Sequence, residues 1–308
     1  SFIDRQILNL LVGPIRRDLV ISDTQMSLLM GLSFALFYTV CGIPLGRLAD
    51  TRSRRGLIAV GILFWSAMTA ACGMARHYWQ FLIGRIGVGV GEAALSPAAY
   101  SLIADSFAPQ ERATAISVYS MGVYLGSGLA FLLGGLVITF ASAQGDVSLP
   151  LLGEVRPWQL IFLLLGAFGV CFTLLMLAVH EPVRRGVGAG VAVPLAEVGL
   201  YLRANRRTVL YHNLGFAGLA LAGYGSSAWV PSFFIRTYGW DAGQVGVVYG
   251  SIVGVFGCLG IVLGGRLADW MAKRGRPDAN MCVCLFAAIA ALPFLLVYPL
   301  MGSGVWAA

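Results

Sequence analysis

The sequence predicts an all-α, polytopic membrane protein built as two bundles of helices, and three observations carry this prediction. The composition is 58% hydrophobic and only 11% charged, with a mean hydropathy of +0.81, whereas soluble domains carry about 25% charged residues. Apolar runs of about 20 residues, the length at which a helix crosses a bilayer, recur along the whole chain. One charged pentapeptide also occurs twice, at the ends of two such runs.

Nine membrane spans are predicted from the apolar runs, of which the first is expected to be partial because the chain opens inside it. The predicted spans are 1–13, 24–46, 57–75, 79–104, 113–140, 158–179, 208–235, 243–265 and 280–300. Several are longer than a bilayer requires, which predicts tilted helices.

The basic residues are concentrated in alternate loops, and this asymmetry predicts the orientation of the chain. Of the 21 basic residues, fourteen lie in the loops after spans 2, 4, 6 and 8, namely Arg47, Arg52, Arg54, Arg55, Arg112, Arg184, Arg185, Arg203, Arg206, Arg207, Arg266, Lys273, Arg274 and Arg276. The other loops hold Arg16, Arg17, Arg76, Arg156 and Arg236. Because cytoplasmic loops carry the excess of Arg and Lys, we expect a multipass protein of the inner (plasma) membrane with a cytoplasmic N-terminus. The net charge of +7 then reflects topology, and no nucleic-acid partner is predicted.

The repeated pentapeptide GRLAD, at 46–50 and 265–269, predicts two related halves. Basic residues follow each copy four and five positions after its Asp: Arg54, Arg55, Lys273 and Arg274. The copies end spans 2 and 8, and a separation of six spans is typical of two parallel six-helix bundles. We therefore predict an N-terminal bundle at 1–179, a cytoplasmic linker at 180–207 and the first three helices of a second bundle at 208–308.

The two copies are interpreted as a cytoplasmic gate, although ordinary stop-transfer charge clusters would explain the basic residues alone. Glycine permits close approach of another backbone, and a carboxylate can accept hydrogen bonds at a helix end or pair with Arg. The gate residues predicted on this basis are Gly46, Asp50, Arg54, Arg55, Gly265, Asp269 and Arg274. Within the linker, PLAEVGLYLRANRR is predicted to form a short amphipathic helix on the membrane surface.

Two full charges, Arg85 and Glu92, lie inside the apolar run GRIGVGVGEAALSP at 84–97. Because they are seven residues apart, their side chains differ in direction by only about 20° around a helix and share one face. Each costs about 2.5 to 3.5 kcal/mol inside a bilayer, so such residues usually mark a transport or proton path. An ion pair that only locks two helices together is the alternative. Gly87, Gly89 and Gly91 predict close helix–helix contact rather than a nucleotide loop.

Several segments resemble the major facilitator superfamily, and within it the Spinster-type lipid transporters. The hallmark loop resembles GRLADTRSRR at 46–55. The more specific resemblance rests on FIDRQILNLL at 2–11, FWSAMTAACG at 64–73, GRIGVGVGEAALSPAAYSLIADSF at 84–107 and LGSGLAF at 125–131. The resemblance implies a twelve-helix fold, alternating access, and movement of lysophospholipids or sphingosine-1-phosphate. It places charged pairs at Asp4 with Arg5 and at Arg85 with Glu92. Ser127 stands where a Pro is often found, which leaves exchange and proton coupling open.

On this basis the charged and aromatic residues are assigned roles as hypotheses from the sequence. Asp4 and Glu92 are the predicted protonatable pair, since desolvation and a nearby Arg act oppositely on a carboxyl group. Arg5 and Arg85 are the predicted headgroup ligands, because guanidinium binds phosphate in a bidentate manner. Adjacent helical residues diverge by about 100°, so Asp4 and Arg5 should face different neighbours. An aromatic wall for the acyl chain is predicted, with ordinary packing as the alternative, from Tyr38, Tyr119, Tyr124, Tyr224, Trp229 and Phe233.

Three functional classes follow from these observations. A lipid-moving, proton-linked secondary transporter is preferred, with an amphipathic lipid and protons as partners, membrane lipid around it, and a monomeric state. A carrier of an organic anion or drug is the second class, because the hallmark loop is shared across the superfamily. A membrane enzyme is disfavoured, since no Walker loop, zinc motif or nucleophile elbow is present, and no cofactor or metal is predicted.

Overall fold

A computed structural model describes residues 2–108, 112–144, 147–149, 153–184 and 193–304. Within these ranges the chain is almost entirely helical, with one short hairpin in which β1 and β2 pair in antiparallel fashion, Val147 opposite Val155. The architecture is therefore the all-α membrane fold that the composition predicts.

The described part of the first half of the molecule contains nine α-helices and the hairpin. Its elements are α1 (Phe2–Leu10), α2 (Val12–Leu19), α3 (Asp23–Ser27), a π-helical turn (Leu28–Leu32), α4 (Ser33–Thr51), α5 (Arg54–Gly73), α6 (Tyr78–Glu92), α7 (Leu95–Ser106), α8 (Arg112–Gln144), β1 (Val147–Leu149), β2 (Gly153–Val155) and α9 (Pro157–Leu177).

The linker helix and the second half follow. They comprise α10 (Leu195–Ala204), α11 (Arg206–Tyr238), α12 (Ala242–Lys273), α13 (Ala279–Val297) and a 3₁₀ turn (Tyr298–Leu300). We refer to α1–α9 as the first half and to α11–α13 as the second half.

Seven helical stretches of the described chain are long and apolar enough to cross a membrane: Asp23–Thr51, Arg54–Gly73, Tyr78–Ser106, Val118–Gly135, Pro157–Leu177, Ala242–Lys273 and Ala279–Leu300. They correspond to seven of the nine predicted spans. The predicted span 1–13 instead falls on two short helices, α1 and α2, that are interrupted at Leu11. The predicted span 208–235 falls on α11, whose 33 residues extend about 50 Å but include polar residues such as His212 and Asn213.

Local capping explains where three of the helices begin. The Ser22 hydroxyl and the Gln25 side chain form a reciprocal capping box at the start of α3. Asp241 and Gln244 do the same at the start of α12. The Ser53 hydroxyl accepts a hydrogen bond from the Gly56 amide at the start of α5. Each cap satisfies backbone N–H groups that the first helical turn leaves unbonded.

Glycine determines how closely α6 approaches its neighbours, as the sequence predicts. A Cβ at Gly89 would lie 2.7 Å from the Phe34 carbonyl oxygen of α4, and a Cβ at Gly91 would lie 2.9 Å from Trp65 of α5. Both distances are shorter than any normal contact, so a larger residue would push the helices apart. The glycines therefore fix the depth at which the charged residues of α6 lie.

The two halves contact each other where α8 crosses α12 and where α1 meets α11. A Cβ at Gly128 would lie 2.7 Å from Gly254, and the Phe131 and Tyr249 rings pack edge-to-face with centroids 5.0 Å apart. We call the end of the molecule that holds residues 20–23 and 236–241 the sealed end. We call the opposite end, which holds residues 51–55, 105–108 and 180–184, the basic end.

Candidate functional site

An ion pair between α1 and α6 forms the centre of the site. The Arg5 Nε donates to Oε2 of Glu92 at 2.8 Å, and the Arg5 Nη2 contacts the same oxygen. The Glu92 side chain is 1% exposed, whereas the Arg5 side chain keeps 18% of its surface exposed. The pair thus links two helices, and its arginine is the member that reaches accessible space.

Aromatic rings surround the guanidinium group of Arg5. Its Cζ lies 4.0 Å from the centroid of Phe34, 5.0 Å from that of Phe2 and 5.3 Å from that of Tyr38. Ring faces attract a cation and exclude water from it. Among the described residues, Arg5 is therefore held by one carboxylate and three aromatic rings.

Arg85 lies deeper, with 1% of its surface exposed. Its Nε donates to the Leu29 carbonyl at 3.2 Å, and its Cζ lies 5.6 Å from the Phe34 ring. Leu29 belongs to the π-helical turn, and π turns interrupt the regular backbone ladder and recur at functional sites. The sequence predicts Arg85 as a cavity-facing residue, but the structure encloses it between α4, α5 and α6.

Asp4 completes a cluster of two acidic and two basic groups. It is 7% exposed and lies within electrostatic range of Glu92 and Arg85. The resemblance to Spinster-type transporters implies pairs of Asp4 with Arg5 and of Arg85 with Glu92. In the structure, Glu92 is instead bonded to Arg5 across two helices.

Tyrosines and a serine continue the site along α4, α7 and α8. The Tyr38 hydroxyl lies 3.0 Å from the Ser96 hydroxyl, which also hydrogen-bonds to Tyr119. The Tyr119 ring packs edge-to-face on Tyr100 at 5.5 Å. Tyr38 and Tyr119, which the sequence predicts independently, are therefore brought into one polar-aromatic group.

The remaining predicted aromatic residues do not join that group. Tyr124 packs against the backbone of Gly257, and Tyr224 is 58% exposed. The Trp229 ring lies beneath the Arg236 guanidinium at 5.9 Å. Phe233 belongs to a packed aromatic cluster with Phe234, Tyr238 and Tyr298. The six predicted aromatic residues therefore do not form a single wall, because their side chains face different neighbours.

A cavity of about 520 Å³ lies between α11, α12 and α13. Its lining is mainly apolar and includes Ser226, Phe234, Tyr249, Phe294, Tyr298 and Met301. Phe234 lines it in place of the predicted Phe233, since adjacent helical residues face different directions. Ser227, next to the lining residue Ser226, bonds to the first half.

That bond belongs to a polar seam between α1 and α11. The Gln6 Oε1 accepts hydrogen bonds from Asn9 Nδ2 at 2.7 Å and from the Ser227 hydroxyl at 2.8 Å, and Asn9 Nδ2 also donates to the Ser227 carbonyl at 3.0 Å. At the sealed end, Arg236 binds both carboxylate oxygens of Asp23, with the closer contact at 2.8 Å. Sequence reasoning missed these residues, because only the meeting of the two halves brings them together.

Arg54, which follows the first GRLAD copy, is completely buried at the basic end and forms a clamp between α7 and the linker. Arg54 pairs with Asp105 of α7 and with Glu181 of the linker, and it donates to the Pro182 carbonyl at 2.7 Å. Arg184 also donates to the Ala49 carbonyl at 2.7 Å. The linker segment 181–184 is thus docked on the hallmark loop, a contact that the sequence analysis did not predict.

Glu181 is the acceptor that holds this contact together. Its carboxylate accepts hydrogen bonds from the Ser53 hydroxyl, from the Arg54 amide at 2.7 Å and from the Arg54 Nε at 3.4 Å. Partial desolvation acts to raise the pKa of the Glu181 carboxyl, but these hydrogen bonds outweigh it and hold the pKa below its ordinary value of 4.5.

The other predicted gate residues have more open surroundings. Asp50 and Asp269 are exposed, and Arg274 stacks on Trp270 at 3.8 Å. Arg55 donates to the Leu177 and Val179 carbonyls at 3.4 Å. A Cβ at Gly46 would meet Pro97 at an ordinary 3.8 Å, and a Cβ at Gly265 would meet nothing within 4 Å. The predicted close backbone approach is therefore not seen at either glycine.

Comparison with known proteins agrees with this architecture. The MFS-type efflux pump of Mycolicibacterium smegmatis is 33% identical over 275 residues, which are 89% of this chain and 60% of the pump. Protein spinster of Drosophila melanogaster is 25% identical over 96% of this chain and 48% of its own length. The crystal structure of a bacterial homologue of the human lysosomal transporter Spinster, inward-facing and unoccupied, superposes with a TM-score of 0.77 at 30% identity, covering 99% of this chain and 67% of that one.

The chain thus spans about half to two thirds of the length of these relatives. The sequence profile of the Major Facilitator Superfamily matches it over residues 1–308. Together with the helical architecture and the buried charges, that match leads to one conclusion: the chain belongs to the major facilitator superfamily of membrane transporters.

Proposed function

We propose that this protein is a secondary transporter that moves amphipathic lysolipids, such as a lysophospholipid or sphingosine-1-phosphate, across the membrane by proton-linked alternating access. The observation that carries the proposal is the Arg5–Glu92 pair, in which a partly accessible guanidinium is held by one buried carboxylate and a cage of rings. Such a guanidinium is poised to exchange its carboxylate for another anion.

The anion that fits this exchange is a phosphate headgroup. Guanidinium binds phosphate through two parallel N–H bonds, and Arg5 uses only two of its nitrogens on a single oxygen of Glu92. Arg85, fixed to the Leu29 carbonyl, supplies a second positive charge behind the first. Arg5 is therefore the headgroup ligand in this proposal, and Arg85 acts on the headgroup through space.

Proton coupling follows from competition for Arg5. A protonated Glu92 is neutral and holds the guanidinium only weakly, so Arg5 is released to the incoming phosphate. An ionised Glu92 takes Arg5 back and expels the phosphate, because a buried charge left without a partner is strongly destabilising. Asp4, close to both Glu92 and Arg85, is the second carboxyl that shares this proton.

The acyl chain has an apolar site in the second half. The cavity of about 520 Å³ between α11, α12 and α13 is lined mainly by apolar side chains, and it adjoins the seam where Ser227 meets Gln6. A lipid with a charged headgroup on Arg5 and a hydrocarbon tail along the second half would contact both halves, which is what alternating access requires of a substrate.

The direction of opening is part of the same proposal. The halves meet at the sealed end through Asp23–Arg236 and along α8 and α12 through glycine contacts such as Gly128 with Gly254. The loops of the basic end carry most of the Arg and Lys. With the positive-inside rule, the basic end and the N-terminus lie in the cytoplasm. The protein then works in the inner membrane, and the described state is closed toward the outside.

Export of a drug or organic anion is the second candidate. It is favoured by the relative named as an efflux pump, and a carboxylate substrate could also displace Glu92 from Arg5. The two candidates differ in what the second half must bind, since an organic acid needs no acyl site.

The test is uptake by the purified protein in proteoliposomes with an imposed pH gradient, using labelled lysophospholipid, sphingosine-1-phosphate and a panel of organic acids. We expect lysolipid uptake that depends on the gradient and loses that dependence in Glu92→Gln. Glu154→Gln, at an exposed carboxyl of β2, is the matched control and should transport normally. Uptake of organic acids without lysolipid favours the second candidate, and unchanged pH-dependent transport by Glu92→Gln excludes Glu92 as the proton site.

A further inference from the structure

The linker helix α10 presents an apolar face that no described part of the chain covers. Every residue from 193 to 208 is exposed. At 100° per residue, the side chains of Tyr201, Val198, Leu202 and Leu195 occupy an arc of about 120° on one side of the helix. These four side chains are 66%, 39%, 45% and 62% exposed, respectively. Residues of this kind are not left in water over a whole helix face without a partner.

Both ends of α10 are attached to helices at the basic end of the molecule. At its start, the Val193 carbonyl accepts a hydrogen bond of 2.9 Å from Arg47, in the last turns of α4. At its end, only Asn205 separates it from α11, which begins at Arg206. Both ends of α10 therefore lie at the basic end of the molecule, and its ten residues extend about 15 Å along that surface.

The charged residues in and next to α10 indicate that its partner is an anionic surface. Arg203, Arg206 and Arg207 cluster where α10 meets α11, and Glu197 is the one acidic residue between 193 and 208. Glu197 lies about 40° beyond Tyr201 at one edge of the apolar arc, and Arg203 lies about 80° beyond Leu195 at the other edge. The Arg203 stem can follow the apolar face while its guanidinium remains at headgroup level. An apolar arc next to a cluster of three arginines is typical of helices that lie in an anionic membrane interface.

We propose that α10 and the adjoining arginines form a docking site for the anionic phospholipid headgroups of the leaflet at the basic end. The apolar arc inserts at the boundary between headgroups and acyl chains, and Arg203, Arg206 and Arg207 bind lipid phosphates. Because α10 joins the two halves, lipid binding there anchors the linker in the leaflet. The proposal does not depend on which substrate the transporter carries.

The test is hydrogen–deuterium exchange of the intact protein in three environments: detergent, nanodiscs of phosphatidylcholine, and nanodiscs of phosphatidylcholine with phosphatidylglycerol. We expect amides of residues 195–204 to exchange several-fold more slowly when phosphatidylglycerol is present. High salt should remove that difference, because headgroup attraction is screened. Removing three basic residues should weaken the interaction on the order of a hundredfold, so the triple variant Arg203→Gln/Arg206→Gln/Arg207→Gln should show the same exchange in both nanodiscs.

A matched variant, Arg17→Gln/Arg76→Gln, removes exposed arginines at the sealed end and should keep the lipid effect. Equal protection in both nanodiscs, unaffected by salt, would mean that apolar burial alone seats the helix and would overturn recognition of anionic lipid. Protection that is as strong in detergent as in both nanodiscs would show that the face is protected without anionic lipid, and it would equally overturn the proposal. The salt dependence of the unaltered protein decides the matter even if the triple variant does not fold.

Discussion

Replacing Glu181 with Gln should loosen the linker from the hallmark loop. The change keeps the size of the side chain and one acceptor oxygen, but it removes the charge that serves the Ser53 hydroxyl and two N–H groups of Arg54. Arg54 is fully buried and has Asp105 as its other acidic partner. The substitution therefore leaves the buried guanidinium of Arg54 with Asp105 as one acidic partner in place of two.

The expected loss of stability in Glu181→Gln follows from the solvent exposure of the side chain and from the number of hydrogen bonds it accepts. Hydrogen bonds to charged groups contribute about 1.5–3 kcal/mol each when buried. The Glu181 side chain is 22% exposed, and the Gln oxygen replaces one bond, so solvent screening and substitution reduce the loss. We expect a loss of about 1–2 kcal/mol, which corresponds to a fall in Tm of about 1.5–3 °C for a protein of this size.

The effect should depend on pH in a defined direction. The folded-state pKa of Glu181 lies below its ordinary value of 4.5, so its contribution to stability is fully present above pH 4.5 and is lost as pH falls through the folded-state pKa. The original protein and the Gln variant should differ at neutral pH and converge in acid.

The assay is the change in tryptophan fluorescence on heating, measured at neutral and acid pH in one detergent. Glu154→Gln, at an exposed carboxyl of the β2 strand, is the control and should match the original protein at every pH. An unchanged Tm of Glu181→Gln at neutral pH would refute the reasoning, and so would a difference that grows toward acid pH.

Two further predictions concern the packing of α6 and the sealed end. Gly89→Ala should destabilise the protein by about 1–3 kcal/mol, because the new Cβ would lie 2.7 Å from the Phe34 carbonyl. Gly13→Ala, where nothing lies within 4 Å, should be neutral or slightly stabilising in the same melting assay, and equal losses would contradict the packing argument. Arg236→Gln should shift the population toward opening of the sealed end by at most about fivefold, since its pair with Asp23 is solvent-exposed. Spin-label distances across that end measure the shift, which Arg17→Gln should not produce.

Much of the membrane architecture could be predicted from the sequence because apolar length and charge exclusion are local properties. Seven of the nine predicted spans have the length and hydropathy of membrane helices. In the segment predicted as a span at 1–13, the structure has two short helices separated at Leu11. Hydropathy detects the apolar run there but not the break in the helix. The close approach of Gly89 and Gly91 also followed from small residues inside a long apolar run.

The partners within the charge cluster could not be predicted, because they depend on how helices pack. Arg85 and Glu92 share a helix face, yet the bond to Glu92 comes from Arg5, 87 residues away. Arg85 binds the Leu29 carbonyl in a π-helical turn, and spacing within α6 contains no information about that turn. Sequence periodicity locates costly charges, whereas the rotation of each helix about its axis decides which of them meet.

The two GRLAD copies illustrate how the same motif acquires different surroundings. Around the first copy, Arg54 joins α5 to α7 and to the linker, and Arg184 binds the end of α4. Around the second copy, Arg274 stacks on Trp270 of its own half, and Asp269 is exposed. The segment 181–184 is therefore bonded to the first half at several points.

An opening of the basic end that kept those bonds would carry segment 181–184 with the first half. The change in distance between the halves would then have to be taken up by the chain between Arg184 and the start of α11. Because α10 lies within that chain, a leaflet that binds α10 would resist the displacement. The Arg54 clamp is thus the fixed part of the linker between the two halves, and the exposed α10 is its adjustable part. Anionic lipid should therefore affect transport through α10 without altering the contacts of Arg54.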